Sequence, residues 1–539
     1  MHPTGKGKQM IHRSKWLAAA AFIAYQASFG LPAQAGTPPD TLVAGWAIDD
    51  MISLDPAEAF ELSTSEFIHN SYEKLVKYDL KDVSKVSGAV AESWTVSDDG
   101  KTISFKIRQG RKFASGNPIT ADDVVYSLTR AVKMDKSPAF ILNQFGLTKD
   151  NVDQMVVKTG DYSVDFKMDQ PYAPSFVLYC LTSTVGSILD KKLVQSHEKD
   201  GDFGYNWLKT NYAGSGPFTI REWKANDSVV MDRNKNYSGE APKMKRLIFR
   251  HIPEASTERI MLEKGDLDMA MKLGPDEIAA VKGEKGIKVE AGQIGYLWYL
   301  GLNQKNPTLA KPEVREAMKY LVDYSAIADT LMKGSKTVHQ AFLPHGFLGA
   351  VDDTPYSLNV AKAKELLAKA GVPDGFTVTM DVRNNPDTTA MAEAIQATMA
   401  QAGVKVEIIP GDGKQTLTKY RARQHDIYIG PWGPDYQDPN TNSSAFAENP
   451  DNADGASVKS LAWRNAWDIP ELTKESKAAA MERDADKRAA DYVELQKKVM
   501  AESPFVVMFQ DNLQIAMSDK VDGFILGPSY NAYEDVTKK

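Results

Sequence analysis

The chain has a single cysteine in 539 residues. It therefore closes no internal disulfide, and the fold has to be held by a hydrophobic core. Cys180 lies in the apolar stretch Phe176-Val177-Leu178-Tyr179-Cys180-Leu181 and reads as a buried small hydrophobe. Histidine is sparse, with eight residues scattered along the chain. His339 and His345 flank Phe342-Leu343-Pro344, a separation that matches no metal-binding motif, so no metal and no cofactor is expected. Asp451-Asn452-Ala453-Asp454-Gly455 has the outline of a calcium loop, but Ala462 stands at the twelfth position, where glutamate is needed. There is no G-x-S-x-G, no H-E-x-x-H and no cysteine set with a histidine, which argues against a hydrolase. Basic charge is in deficit, 64 Lys and Arg against 71 Asp and Glu. Such a balance suits neither nucleic acid nor an anionic membrane surface.

Long apolar runs are also missing, except at the start. There, Lys6, Lys8, Arg13 and Lys15 precede an apolar run from Trp16 to Gly30, and Ala33-Gln34-Ala35 follows. As a helix the run spans about 22 Å, short of the ~30 Å hydrocarbon core. The pattern predicts an export signal cut after Ala35 rather than a membrane anchor. No cysteine stands at the cut, which excludes lipid attachment there and points to a free periplasmic protein of a Gram-negative cell.

The remaining length suggests two to four domains. Leu42–Trp46 reads as a buried strand. Residues 93–108 read as a hairpin around Ser97-Asp98-Asp99-Gly100, with Ile103, Phe105 and Ile107 alternating. Thr120-Ala121-Asp122-Asp123 is a capping box opening an amphipathic helix. A second hairpin is expected over 218–231 through Asn226-Asp227. Beyond about Leu300 strands and helices alternate: helices over 313–332 and 360–370, a strand over 376–382, a helix around Met391, Ile395 and Met399, and strands over 404–409 and 427–429. Alternation of this kind implies an α/β fold with a mostly parallel sheet, whose ligands bind beyond the carboxyl ends of the strands. A helix over 489–500 and a strand over 505–509 close the pattern.

At one such strand end stands Tyr428-Ile429-Gly430-Pro431-Trp432-Gly433-Pro434-Asp435-Tyr436-Gln437-Asp438-Pro439. It delivers an aromatic plate and carboxylates to one place, a pocket for a small cationic group.

Several segments carry a resemblance. Leu54-Asp55-Pro56, Ala91-Glu92-Ser93-Trp94, Ser97 to Gly100, Phe105 to Arg108, Lys112-Phe113, Ala121 to Tyr126, Gly214 to Phe218, Asn303 with Val314-Arg315, and Trp432 with Asp435 and Asp438-Pro439 occur in order along the chain. Together they resemble the extracytoplasmic solute-binding proteins of dipeptide, oligopeptide and nickel ABC importers. The resemblance implies a large, type II-like, two-lobed periplasmic-binding-protein fold with an extra subdomain in the first lobe. The first lobe would be 36–301 plus 507–539, its subdomain about 83–212, and the second lobe 302–506. Crossings would lie near 300–303 and 505–508. It implies a monomeric receptor, without catalytic activity, that captures a di- or oligopeptide and delivers it to an inner-membrane ABC permease. A nickel chelate, an opine or an oligosaccharide is the alternative ligand.

The resemblance also implies ligand-binding residues. Asp435 would meet the ligand's α-ammonium, since an enclosed cation must be paired; the competing reading is a loop-capping acid. Trp432 would stack on the ligand or pack beneath the loop. Tyr436 and Gly430 would line the wall, although Pro431 removes a backbone N–H. Arg383, after the strand over 376–382, would receive a carboxylate, or stand solvated, as Arg421 and Arg423 are expected to do. Glu61, Leu62 and Ser63, after Leu54-Asp55-Pro56, and Trp46, at a strand end, complete the set. Asp49, Asp50, Glu61 and Asp435 would make a cation-preferring cleft if the fold brought them together.

Overall fold

The computed structural model describes residues 36–539 apart from Ser457, so the expected signal peptide lies outside the described residues. Its organising feature is a pair of unusually long strands, Ile287–Leu302 and Phe505–Ser518, paired antiparallel at the centre of an 11-stranded sheet. On one side lie Ile427–Trp432, Thr377–Arg383 and Lys405–Gly411; on the other, Met269–Ala270, Thr41–Trp46, Arg246–His251, Ser228–Arg233 and Phe218–Lys224; the eleventh, Lys336–Val338, pairs with Phe505–Ser518 off this path.

The two long strands feed two cores. Leu300, Leu302, Val506 and Met508 pack with Met318, Met380 and Ile427, whereas Ile515 and Met517 pack with Leu42, Phe218 and Phe249. A third core, with Phe105, Val124, Phe166 and Phe176, surrounds a separate four-stranded antiparallel sheet built from Ala91–Val96, Thr102–Ile107, Ser163–Lys167 and Val156–Gly160. The hairpin expected over 93–108 forms over 91–107, and the one expected over 218–231 forms over 218–233. The helix Ala121–Met134 opens with the capping box between Thr120 and Asp123. Cys180 is buried.

Some expectations need correction. The sheet is mixed rather than mostly parallel. Thr377–Arg383 runs parallel to both Lys405–Gly411 and Ile427–Trp432, but Ile427–Trp432 meets the long strand antiparallel. The single helix over 313–332 is two pieces: Pro312–Lys319 ends, and Asp323 caps a new start by accepting from the Ala326 N–H at 3.1 Å. The cap, together with burial of Leu321 and Val322 in the break, overrides the continuous apolar period. The 427–429 strand runs on to Trp432, which pairs with Leu297. Arg423 is not solvated. It is 5% exposed, hydrogen-bonds Asn452 and Asp454, and stacks over Trp463.

Two bidentate ion pairs bury charge completely. Arg130, from the capped helix, grips Asp55 of Leu54-Asp55-Pro56 at 2.8 and 2.5 Å. Arg488 grips Asp438 at 2.8 and 2.6 Å. Among the described residues no helix is long and apolar enough to cross a membrane.

Candidate functional site

The site forms where the long strands lose register. Gln293 faces Asn512 and Leu297 faces Gln510, so Ile294, Gly295 and Tyr296 bulge opposite Asp511. The bulge turns Tyr296 toward the loop that leaves Ile427–Trp432. A Cβ on Gly433 would stand 2.7 Å from the Tyr296 ring, and one on Gly295 would stand 2.6 Å from Pro434. Glycine at both positions lets loop and bulge approach this closely.

Asp435 follows directly in that loop. Its backbone N–H donates to Thr441 Oγ1 at 3.0 Å, which fixes the turn. Among the described residues its carboxylate has neither a hydrogen-bond donor nor an ion-pair partner. Burial pushes its pKa up to about 7, with Arg464 pulling the other way. Tyr296 is likewise raised by burial, and then by the charges of Asp435, Asp511 and Asp50, so three carboxylates surround one phenol. Asp511 is neutralised by Lys336 at 2.6 Å, which also lies 4.3 Å over the Trp298 ring. Asp50 accepts from the Ser63 hydroxyl. Glu61 is raised by burial and further by Asp50 and Glu58.

Of the four acids named from the sequence, Asp50 acts on Glu61, and Asp50 and Asp435 both act on Tyr296, while Asp49 is exposed and takes part in neither. Ser63 joins Asp50 through its hydroxyl. Glu61 and Ser63 belong to a helix start rather than a loop: Glu61 occupies the cap position of Leu62–Ser71, and Leu62 is 50% exposed. Trp46 is half-buried and lies 6.1 Å from Phe67. Trp432 is half-buried with its ring edge-on to Phe446 at 5.9 Å. Gly430 is buried, and a Cβ there would strike the Tyr428 hydroxyl. Arg383 is exposed and lies over Gly413.

Tyr436 is 6% exposed and serves a contact between distant segments. Its hydroxyl donates to Asn440 Oδ1 at 2.9 Å and reaches Gln144 at 3.3 Å, while its ring lies 5.8 Å from Phe176. The same face carries Arg488 on Ser175 at 3.1 Å, the Ala173 N–H on the Ala480 carbonyl at 3.1 Å, and Gln437 on Ser529. These contacts shut the 140–180 region over the Asp435 loop.

Tyr296, Asp511 and Arg464 were missed from the sequence, where a bulge register and an isolated arginine carry no motif. A cavity of about 1090 Å³ lies elsewhere, lined by Lys74, Arg111, Tyr237 and Glu534 among others. It contains none of the residues above; the half-buried, unpaired carboxylate of Asp435 lies outside it.

The arrangement can hold a cation between segments that close on one another. Residues 85–454 match the family of bacterial extracellular solute-binding proteins, family 5, middle region. Over 502 residues the chain is 30% identical to the probable D,D-dipeptide-binding periplasmic protein DdpA of Escherichia coli, covering 92% of this chain and 93% of that one. It is 26% identical to the E. coli dipeptide-binding protein over 478 residues, 85% of this chain and 86% of the other. Among solved structures, HbpA2 from Haemophilus parasuis superposes with a TM-score of 0.78 at 26% identity, over 93% of this chain and all of that one. The chain belongs to the bacterial extracellular solute-binding proteins of family 5 and has their two-lobed α/β fold.

Proposed function

We propose that this protein is a periplasmic receptor for a di- or oligopeptide, which it encloses between two lobes and delivers to an ABC permease of the inner membrane. It works as a monomer and carries out no catalysis. The first lobe is 36–301 with 507–539, including a subdomain of about 83–212; the second is 302–506. The chain crosses between them near 300–303 and 505–508, within the two long paired strands.

One observation carries the reading: a half-buried, unpaired carboxylate at Asp435, beside a half-buried phenol and under a closing face. A peptide ammonium supplies the missing partner, and the resulting charge-assisted bond recovers the cost of desolvating the acid. Contacts to both lobes shift the open–closed population toward the closed form. The names of the two E. coli relatives are in keeping with peptide as the ligand.

Native mass spectrometry of the gently purified protein tests this. The expected result is a retained peptide mass that is displaced by added dipeptide but not by its N-acetylated form, which lacks the ammonium. Retention of a nickel chelate, an opine or an oligosaccharide, with no displacement by dipeptide, would overturn the peptide assignment.

A further inference from the structure

The cavity of about 1090 Å³ has no part in the site at Asp435, and none of its wall comes from 302–506. Its volume stands at the upper end of the roughly 300–1,000 Å³ that small-molecule sites occupy. The acids in its wall are mostly satisfied or exposed. Glu92 pairs with Lys106 at 2.9 Å, and Glu73 pairs with Arg111. Asp79 is exposed and accepts from the Lys81 N–H at 2.8 Å, and Asp535 is exposed as well. Glu534 is half-buried, and burial raises its pKa, which favours the neutral acid.

Two basic side chains in the same wall have unfilled donors. Lys74 is 6% exposed and forms no ion pair among the described residues. Of the three N–H groups on its ammonium, one makes a long hydrogen bond, 3.4 Å to the Tyr72 carbonyl. Its backbone is pinned by a bridge to Ser187 and by the Val90 N–H, which donates to the Lys74 carbonyl at 3.0 Å. Arg111 donates through Nη1 to the Ala89 carbonyl at 2.5 Å and through Nη2 to Glu73, and its Nε is buried without a partner. Glu73 joins the two, as chain neighbour of Lys74 and ion-pair partner of Arg111. Arg111, Lys77 and Lys74 all act on this one carboxylate, so positive charge is in excess around it. Burial pulls the Lys74 pKa down to about 7, with Glu73 pulling the other way. His69, which stacks on Tyr530 at 4.1 Å and also feels Lys74, is held neutral by burial and supplies no counter-charge. An enclosed ammonium without a counter-charge is costly, and an oxyanion can accept from it and from a guanidinium N–H together.

We propose that this cavity is a second ligand site that takes a small organic oxyanion, a carboxylate or a phosphate ester, with its anionic head on Lys74 and Arg111. The assignment goes beyond the peptide reading and does not depend on it.

Isothermal titration of glucose 6-phosphate, glucuronate, inorganic phosphate and glucose into the wild-type protein, Lys74→Met and Lys74→Arg tests it, at about pH 8 in two buffers of different ionisation enthalpy. The wild type is expected to bind at least one of the three anions and not glucose. Binding should take up a fraction of a proton, because Lys74 is mostly neutral at that pH until an anion charges it. Lys74→Met should weaken anion binding by about 10-fold or more and abolish the proton uptake. Lys74→Arg should retain binding without the uptake, and this variant remains informative if the methionine variant folds poorly. Preference for glucose 6-phosphate and phosphate assigns the head as phosphate; preference for glucuronate assigns it as carboxylate. No binding of any anion by the wild type, binding of glucose as tight as that of the anions, or equal anion affinity and proton uptake in wild type and Lys74 variants would each overturn the proposal.

Discussion

Arg488 and Asp438 form a two-pronged ion pair at 2.6 and 2.8 Å with both side chains withdrawn from water, three residues beyond the unpaired Asp435. Asp438 also caps Pro439–Phe446 by accepting from the Asn440 N–H at 2.9 Å. Two acids in one loop thus have opposite surroundings. One is fully satisfied by the protein; the other has no partner among the described residues. Arg488→Met should strand a buried carboxylate and lower unfolding free energy by about 3–5 kcal/mol. Urea unfolding checks this, and a loss under 1 kcal/mol would contradict it.

Asp55 and Arg130 should behave as a unit in the same way. Asp55→Asn and Arg130→Met are each expected to cost about 3–5 kcal/mol, and the double variant clearly less than their sum, because each single change leaves the other charge buried and unpaired. A double-mutant cycle in urea provides the measurement. Additive losses would show that the pair is not coupled.

Asp435 predicts a pH dependence of stability. Its pKa rises from an ordinary 3.8 to about 7 in the folded chain. Between pH 4 and 7 the unfolded chain releases this proton while the folded chain keeps it, so this group lowers stability as pH rises through that window and contributes no further change above it. Asp435→Asn should therefore stabilise the unliganded protein at pH 7.5 by roughly 1–3 kcal/mol, with little effect at pH 4. Melting curves at both pH values test the sign; destabilisation at pH 7.5 would contradict it.

Tyr436 links the Asp435 loop to Gln144 and packs on Phe176. Tyr436→Phe keeps the ring and removes the hydroxyl. It should favour the open form and weaken ligand binding by about 3- to 10-fold, with about 1 kcal/mol of stability lost. Small-angle scattering and titration together check this. Unchanged affinity would show that the contact plays no part in closure.

What was legible in the sequence was local. The 91–107 hairpin, the Thr120–Asp123 capping box and the Trp432–Asp438 loop each rest on residues within a few positions of one another. The break at Asp323 was not, because the apolar period runs on through it and only packing decides where the helix stops. Nor were Tyr296 and Asp511, which meet because two strands more than 200 residues apart slip register. The burial of Arg423 escaped notice too, since its partners Asn452, Asp454 and Trp463 come from a separate segment. Asp435 and Asp438 look alike on paper, and only their surroundings separate an unpaired carboxylate, the proposed ligand seat, from a structural ion pair.

The most direct test is to titrate alanyl-alanine into the wild-type protein and into Asp435→Asn at pH 7.5, once both are shown to be folded by their melting curves. Loss of the carboxylate should weaken binding by about 100-fold or more, since the peptide ammonium would be enclosed without its counter-charge. Equal affinity in the two proteins would contradict the role given to Asp435.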